Sequence, residues 1–449
     1  MLAKSYFLRL TEKAKSGRFL NYAARRNPLF YNPVARLIAD TPAPIKLAKS
    51  ANTDRLIART LRWARQTVYG RSYGHDLSGW PLLSKQQVQT HPDHFRRYLS
   101  VGVPASTGGS SGTPLKLWRS LQCIAAEQAF LDSLIAPSFD SLLKTRVAVL
   151  RADYVKDPRD KEPPYGQWNY GKRWLVLSSS HLSENTIGWY LETLKKFSPS
   201  VLWVYPSALG LLLGLMDKRA LGLQVPIVLS SSEIMSSSLF HYAGDQLGTR
   251  VIDYYWQGER SCFASTDTTG CYWFHCLYGT VELLPVAEAS KIPGVMTAKI
   301  VATGHWNSSF PLVRYDTGDL AILPTGSSPE DVLAIARGEQ PFLGILGRSS
   351  DYVVGRDGKR FTGMNHIPRD TAEVLQVQII QDGFGSIRIA VRCRNELTGS
   401  DRERLLQNAR EILPEEMIVE VVQETELERA QNGKTPFIIR QNVSIPIGD

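Results

Sequence analysis

The chain of 449 residues is too long for one ordinary hydrophobic core, so we expect at least two domains. Hydrophobic residues make up 43% and charged residues 21%, which is typical of folded proteins and excludes a largely disordered chain. The net charge of +9 favours anionic partners, but no nucleic-acid-binding motif appears, so we expect no nucleic acid among them.

Other features predict where the protein works. No apolar run approaches the roughly 20 residues that cross a bilayer, and the N-terminus lacks the apolar segment of a secretory signal. The five cysteines are scattered without a CxxC pair, which is typical of a reducing compartment. We therefore expect a cytoplasmic protein without a transmembrane segment.

Residues 1 to about 100 have the apolar spacing of helices, and Ser84 is placed to cap one of them. The first 26 residues are basic and interleaved with apolar side chains, which favours an amphipathic helix packed on the domain, with contact to a membrane surface as the alternative. Residues 101–120 are loop-like and rich in Gly and Ser, although 114–118 alternate like a strand, and 121–136 predict a helix.

Short apolar runs then alternate with helical patterns, which predicts an α/β sheet with buried strands. These strands are predicted at 147–150, 174–177, 201–205, 227–230 and 251–255. Residues 270–325 are rich in strands, and 326–340 form a polar stretch of Ser, Pro and Glu. The C-terminal part predicts a β-β-α-β module at 374–381, 387–392, 401–412 and 417–422. The predicted fold class is therefore α/β, with a large N-terminal domain at 1–346 that starts with a helical region, and a small, mobile α+β domain at 347–449.

A segment rich in Gly and Ser carries the first chemical signal. Its glycines let the backbone fold back and its hydroxyls add donors, so such a loop can surround phosphate oxygens. It is not a Walker A loop, because no Lys-Ser/Thr pair opens a helix after it. A flexible linker is the alternative interpretation. The segment consists of Ser106, Thr107, Gly108, Gly109, Ser110, Ser111, Gly112 and Thr113.

This segment resembles the phosphate loop of the adenylate-forming superfamily, in the form found in the branch of phenylacetate–CoA ligases and CapK. Further segments that resemble motifs of this branch follow in the family's order. They are Tyr205-Pro206-Ser207, Ser230-Ser231-Ser232-Glu233, the run from Asp253 to Glu259, the run from Phe310 to Asp319, the run from Gly347 to Asp351, and Asn432-Gly433-Lys434.

The resemblance implies an ATP-dependent ligase that converts a carboxylic acid to acyl-AMP with release of pyrophosphate and then transfers the acyl group. Charge spreads over phosphoryl oxygens in this reaction, so positioning and electrostatics dominate catalysis. The acceptor stays open between CoA, an amine and a carrier-protein thiol. A small-molecule carboxylic acid and ATP are the expected partners, and a homodimer is left open.

The same resemblance implies roles for individual residues. The loop at 106–113 would hold the β- and γ-phosphates of ATP. Glu259 would act in catalysis and hold Mg²⁺, which prefers one or two carboxylates together with phosphates. Asp319 would accept hydrogen bonds from the ribose, and Arg348 would contact ribose or phosphate. Lys434 would neutralise the α-phosphate and the bridging oxygen.

Further residues of the nucleotide and acyl sites follow from the motifs. The nucleotide site is expected to include Ser231, Ser232, Glu233, Asp253, Tyr254 and Tyr255. The acyl pocket is expected near Trp203, Tyr205 and Trp256, and these aromatic side chains favour an aryl or apolar acid.

The chain departs from the family pattern at three places. Trp256 replaces a glycine, Ser350 stands where a carboxylate usually marks the hinge, and Thr435-Pro436-Phe437 follows Lys434 where a basic residue is usual. These departures bear more on the second half-reaction than on the first.

A cluster of Cys and His side chains offers nitrogen and sulfur ligands of the kind that zinc prefers. It consists of Cys262, Cys271, His275 and Cys276. The spacing is irregular and the stretch is strand-like, so we expect buried free cysteines and no zinc site.

Two other functions are compatible with these motifs. One is an adenylyltransferase that moves AMP onto a hydroxyl of a small molecule. The other is a catalytically degenerate protein that binds nucleotide. The intact segment 107–113 together with Glu259 and Asp319 argues against the second.

Overall fold

The computed structural model describes most of the chain. The described residues are 21, 23–25, 27–40, 51–106, 115–136, 138–151, 155–157, 159–169, 171–286, 295–348, 352–361, 364, 367–429 and 435–441. The helices are α1 (Pro28–Ala39), α2 (Ala51–Ala64), α3 (Lys85–Thr90), α4 (Leu121–Ile135), α5 (Ile187–Phe197), α6 (Pro206–Lys218), α7 (Ser237–Leu247), α8 (Pro329–Ala336) and α9 (Gly399–Arg410).

The predicted helices and their caps are largely present. The predicted helix at 121–136 is α4, and Ser120 caps it by accepting a hydrogen bond from the backbone N–H of Cys123. Ser84 begins α3 with a reciprocal capping box that includes Gln87, so the predicted cap is confirmed. In the described part of the chain, no helix is long and apolar enough to cross a membrane.

A central sheet of eight strands forms the middle layer of the large domain. Its spatial order is β4–β5–β3–β6–β7–β8–β9–β10, with parallel pairing from β5 through β8 and antiparallel pairing towards both edges. The strands are β3 (Val147–Arg151), β4 (Gly166–Asn169), β5 (Trp174–Ser178), β6 (Val201–Val204), β7 (Ile227–Ser231), β8 (Arg250–Trp256), β9 (Phe263–Thr266) and β10 (Tyr272–Phe274). The five predicted strands are therefore confirmed.

Helices cover both faces of this sheet, which is why its parallel strands are largely apolar. Ala148 and Leu150 point to the core that α5, α6 and α7 complete. The alternate residues Val147 and Val149 point to the opposite core, which α1 and α4 complete. The carboxyl ends of the parallel strands are thereby presented along one edge of the sheet.

A second, antiparallel sheet follows in the chain. Its order is β11–β12–β13–β14, and helix α8 packs on it through Val332 and Ile335. Its strands are β11 (Gly279–Pro285), β12 (Val295–Gly304), β13 (Tyr315–Pro324) and β14 (Gly344–Arg348). The polar stretch at 326–340 contains α8, which the sequence did not lead us to assign, and Ser328 begins this helix with a capping box.

The segment at 101–120 differs from the loop that we expected. It contains two strands, β1 (Gly102–Ser106) and β2 (Lys116–Ser120), which pair with each other in antiparallel register over five residues each. The alternation at 114–118 therefore marked a strand correctly, whereas β1 was missed because its apolar side chains are few. Residues 107–114 lie outside the described part of the chain.

The C-terminal module has the predicted β-β-α-β order and one additional strand. Its sheet has the order β19–β18–β17–β20, and α9 completes its core. The strands are β17 (Val374–Gly383), β18 (Ser386–Cys393), β19 (Ile418–Gln423) and β20 (Ile438–Arg440), and a small hairpin of β15 (Val353–Val354) and β16 (Arg360–Phe361) precedes them. The division at 346/347 stays a prediction.

The module packs against the large domain at the start of α7. Ser236 Oγ donates to the carbonyl of Leu375 at 3.3 Å, and Ser238 Oγ donates to the carbonyl of Thr371 at 2.9 Å. Side-chain hydroxyls of the large domain thus bind backbone of the module.

Candidate functional site

The carboxyl ends of the parallel strands bring two of the three predicted acyl-pocket residues, Trp203 and Tyr205, together. Arg151 ends β3, and its guanidinium lies over the rings of Trp203 on β6 (5.0 Å) and Tyr205 after β6 (4.7 Å). It also reaches Ser232, just after β7, at 3.5 Å from Nη2 to Oγ. Sites at this edge are usual in α/β sheets, because successive loops meet there. The arrangement places one cation between two aromatic rings and a hydroxyl.

Arg151 was not among the residues that we predicted from the sequence. The available signal was a basic residue directly after a fully apolar strand, Val147–Leu150, since a charge at that place must leave the core at the carboxyl edge. Its aromatic partners were predicted, but the sequence does not show which cation faces them.

Two residues of the Asp-x-Tyr segment are almost fully buried. Asp253 is 2% exposed and accepts a hydrogen bond from the hydroxyl of Tyr272, and burial raises the pKa of Asp253 to about 7. Tyr254 is 1% exposed, and its hydroxyl lies 3.2 Å from Nε1 of Trp203. Both side chains therefore contact core residues, and the Tyr254 hydroxyl is linked through Trp203 to the group around Arg151.

Tyr255 and Asp319 form the first of two bonds that join β8 to the second sheet. The hydroxyl of Tyr255 donates to Oδ2 of Asp319 at 2.6 Å and itself accepts from Nε2 of Gln257 at 2.7 Å. Burial and the charge of Asp319 raise the pKa of Tyr255 well above its usual value, so the phenol stays protonated. Thr317 Oγ1 accepts from the backbone N–H of Asp319 at 3.1 Å, which fixes the turn before it.

Glu259 accepts the second bond, in which the donating tyrosine belongs to the second sheet. It lies in the turn between β8 and β9, and Oε1 accepts from the hydroxyl of Tyr315 on β13 at 3.0 Å. Tyr315 is the only described residue that donates to the Glu259 carboxylate, so Oε2 has no donor among them. The two predicted carboxylates are thus held at one junction, each by a tyrosine from the other segment.

A buried ion cluster supports the turn that carries Glu259. Glu127 on α4 is 1% exposed and pairs with Arg260 and with Arg25, whose Nη2 lies 3.0 Å from both carboxylate oxygens. Burial alone would raise the pKa of Glu127, but the charges of Arg25, Arg260 and Arg119 outweigh it and lower the pKa. Arg119 also donates to the carbonyl of Gly258 at 2.8 Å. Residues 258 and 260 are therefore fixed on both sides of Glu259.

Sequence analysis missed this cluster, although one signal was present. A charged side chain in the middle of an apolar helix, as Glu127 is in α4, needs a partner when it is buried. Its partners Arg25 and Arg260 each lie more than 100 residues from Glu127 in the chain, so the sequence does not reveal the pairs.

Glu233 connects the large domain with the C-terminal module. Its Oε2 accepts from the backbone N–H of Ser207 at 2.9 Å, and its Oε1 accepts from the backbone N–H of Thr435 at 3.1 Å. Thr435 directly follows Lys434 in the chain. The Ser-Ser-Ser-Glu motif thus contacts, through Glu233, the backbone of the residue that follows the predicted catalytic lysine.

Several predicted residues cannot be placed in this geometry. Lys434, the side chain of Arg348 and the loop residues 107–113 lie outside the described part of the molecule, whereas Ser106 ends β1.

Two other predicted residues are placed beside the core. Ser231 is fully buried with Oγ at 3.3 Å from that of Ser232, and Trp256 is partly buried beside the core that α4 completes.

The Cys and His side chains that the sequence places close together contact other residues in the structure. Cys262 contacts Gln257, and Nε2 of His275 lies 2.8 Å from Oγ of Ser265. Burial lowers the pKa of His275 to about 4, so its ring is neutral. All five cysteines are free thiols, and the described residues include no group of three His, Cys, Asp or Glu side chains that could hold a metal ion.

Comparison with solved structures defines the class of fold. The chain is similar to 2-hydroxyisobutyryl-CoA ligase in the postadenylation state in complex with 2-HIB-AMP, with a TM-score of 0.55, 14% identity, and coverage of 87% of this chain and 89% of the ligase. It is also similar to the acyl acid amido synthetase AtGH3.15 in complex with 2,4-DB, with a TM-score of 0.50, 12% identity, and coverage of 93% and 95%. The chain therefore shares its fold with these two enzymes, which is the class of fold that the motifs implied.

Among curated proteins, the chain is similar to protein CapK of Staphylococcus aureus. The two are 21% identical over 326 residues, which span 70% of this chain and 69% of CapK. No family model matches the sequence. The similarity to CapK agrees with the branch that the motifs resemble.

Proposed function

We propose that this protein is an adenylate-forming ligase that activates a carboxylic acid with ATP, releases pyrophosphate and then passes the acyl group to an acceptor. The observation that carries the proposal is the reciprocal pair of tyrosine–carboxylate bonds, Tyr255 to Asp319 and Tyr315 to Glu259. They fix two carboxylates at the junction of the two sheets, within a fold shared with acyl-CoA ligases and amido synthetases.

Asp319 and Glu259 are assigned to the nucleotide. Tyr255 donates to Oδ2 of Asp319 and orients the carboxylate, which by its chemistry can accept from ribose hydroxyls. The Glu259 carboxylate fits a magnesium ion, because Oε2 has no donor among the described residues and the ion needs few protein ligands when phosphates supply the others. Bound Mg²⁺ would neutralise charge on the phosphates.

The acid is assigned to the pocket beside Arg151. Its guanidinium lies against Trp203 and Tyr205, so an aromatic or apolar body can stack on the rings while the carboxylate stays near the cation. A carboxylate oxygen of the acid attacks the α-phosphorus of ATP, the bond from that phosphorus to the bridging oxygen breaks, and pyrophosphate leaves. Lys434 and the loop at 106–113 stabilise the charge that develops on the phosphate oxygens.

The domain arrangement belongs to the same proposal. Residues 347–449 act as a mobile lid that brings Lys434 to the large domain when ATP and acid are bound. The bond between Glu233 and the backbone of Thr435 supports such a docked arrangement.

Pyrophosphate release with a panel of carboxylic acids tests the first half-reaction. We expect release that depends on ATP, Mg²⁺ and one class of acid, and that Asp319→Ala lowers by weakening ATP binding. Glu184→Gln is the control, because Glu184 forms an exposed ion pair with Lys218 and belongs to none of the motifs. Pyrophosphate release without any acid but with a hydroxyl compound would instead indicate an adenylyltransferase, and no release with any substrate would contradict the proposal.

The acceptor is a separate question, since the similar structures include both a CoA ligase and an amido synthetase. Product analysis after incubation with ATP, the active acid and either CoA or a panel of amines distinguishes a thioester from an amide. A thioester on a carrier protein is the third outcome.

A further inference from the structure

A cavity of about 580 Å³ lies beside helix α2 and shares no residue with the candidate site. The described residues that line it combine basic side chains with apolar ones and include no carboxylate. The lining residues that matter here are Arg55, Arg59, Arg62, His75, Leu37 and Leu56. Such a combination of cations and apolar surface is typical of a binding site for an anionic group with a hydrocarbon part.

No ion pair with a described residue balances the positive charge of this cavity. Arg55, Arg59 and Arg62 are spaced four and three residues apart on α2, so their side chains share one helix face. None of them forms an ion pair with a described residue. The sequence from 41 to 71 contains seven Lys and Arg but only one acidic residue, Asp54. The local field therefore attracts anions.

Arg59 is held in place as a donor. Its guanidinium lies between the rings of Trp63 and Trp306, at 4.7 Å from each, and Nη2 donates to the carbonyl of His305 at 2.8 Å. Its Nε is buried without a hydrogen-bond partner in the described part of the structure. Burial and the nearby charge of Arg62 lower the pKa of Arg59 to about 10. The side chain is thus charged, oriented and incompletely satisfied.

We propose that this cavity binds a phosphate monoester that carries an apolar group. The guanidinium fork matches phosphate oxygens in pairs, and several arginines suit a dianion better than a single carboxylate. Leu37 and Leu56 offer the surface for the apolar part. The ligand is either a soluble phosphorylated molecule or the headgroup of a phosphatidate in a membrane. The site is independent of the adenylation chemistry proposed above.

Binding of two probes tests the site. The first is octyl phosphate, titrated by calorimetry, and the second is sedimentation with vesicles of phosphatidylcholine with or without phosphatidate. The test variant is Arg55→Gln/Arg62→Gln, which keeps Arg59 and its packing. The control is Lys195→Gln/Lys196→Gln, which removes the same charge from exposed positions in the last turn of α5. Arg62→Glu serves as a second test variant.

We expect one octyl phosphate site to weaken at least about tenfold in the test variants and to be unchanged in the control. Loss of sedimentation with phosphatidate vesicles in the test variants alone would identify the headgroup as the ligand source. Binding of octyl phosphate without vesicle binding would identify a soluble ligand. Failure of the wild type to bind either probe, or equal binding by wild type and test variants, would overturn the proposal. Pyrophosphate release should be the same in all variants, which separates this site from the proposed active site.

Discussion

Replacing Glu233 by Ala removes the side chain that joins the large domain to the segment after Lys434. The variant loses two hydrogen bonds to one carboxylate, from the backbone N–H groups of Ser207 and Thr435. A hydrogen bond to a charged acceptor contributes about 1.5–3 kcal/mol. Only the Thr435 bond depends on docking of the module, so this range applies to the docked arrangement in which adenylation would occur.

The expected effect is a decrease of about 10- to 150-fold in kcat for pyrophosphate release, since about 1.4 kcal/mol corresponds to tenfold. ATP affinity should change little, because Asp319 and Glu259 keep their own partners. Glu233→Gln keeps one acceptor oxygen without the charge and should lose less activity than Glu233→Ala. The assay is pyrophosphate release at saturating acid, with calorimetric titration of ATP in parallel.

Glu184→Gln again serves as the matched control, because it removes a carboxylate that binds only an exposed lysine. Normal kcat in a folded Glu233→Ala variant would refute the reasoning that this carboxylate positions the segment after Lys434. An equal loss of ATP affinity would show that Glu233 acts on the nucleotide instead. An inactive wild type would point to the proposed function itself and not to Glu233.

Three further predictions concern side chains around the site. Tyr255→Phe should weaken ATP binding about tenfold in calorimetry, because Asp319 loses its orienting donor; tighter binding would mean that Tyr255 competes with the ribose. Glu127→Ala should lower the free energy of unfolding in urea by about 3–5 kcal/mol, because it leaves Arg260 buried without its partner; a loss below about 1 kcal/mol would contradict a supporting role for the cluster. For Asp253, a folded pKa of about 7 against an ordinary value of 3.8 means that the folded state holds a proton that the unfolded state has lost. Its contribution to stability should therefore fall as pH rises from about 4 to about 7 and then stay level. Asp253→Asn should lack this dependence in urea unfolding at several pH values, and a parallel dependence in both proteins would refute the shift.

The parallel strands of the central sheet were predictable because burial on both faces leaves a direct trace in the sequence. A run such as Val147–Leu150 has no polar alternation, and only a strand covered by helices on both sides tolerates this. Strand β1 left no such trace, since Val103 is its one buried residue and the strand lies next to a Gly- and Ser-rich segment. Helix α8 has only eight residues, so its cap at Ser328 was the stronger signal.

Side-chain partners were less predictable than strands. Asp253 and Glu259 have similar chemistry and lie six residues apart in one motif-bearing segment. Their environments differ because Asp253 lies within β8 in the middle of the sheet, whereas Glu259 lies in the turn beyond the end of the strand. The motif gives the type of residue, but the position along the strand decides whether a carboxylate is buried, as in Asp253, or partly exposed, as in Glu259.

The pairing of β13 with β14 links the proposed nucleotide site to the predicted hinge. Asp319 is opposite Arg348, and Leu320 is opposite Gly347, but the register then shifts between Leu320 and Ala321. Such a bulge bends a strand and re-aims the side chains beside it, and it often requires a glycine. Gly347 has a φ of 92°, a region that other residues rarely adopt. The bulge therefore lies next to the pair of Asp319 and Arg348, so a movement of the proposed lid at residue 347 would act on the strand that we propose to hold the ribose.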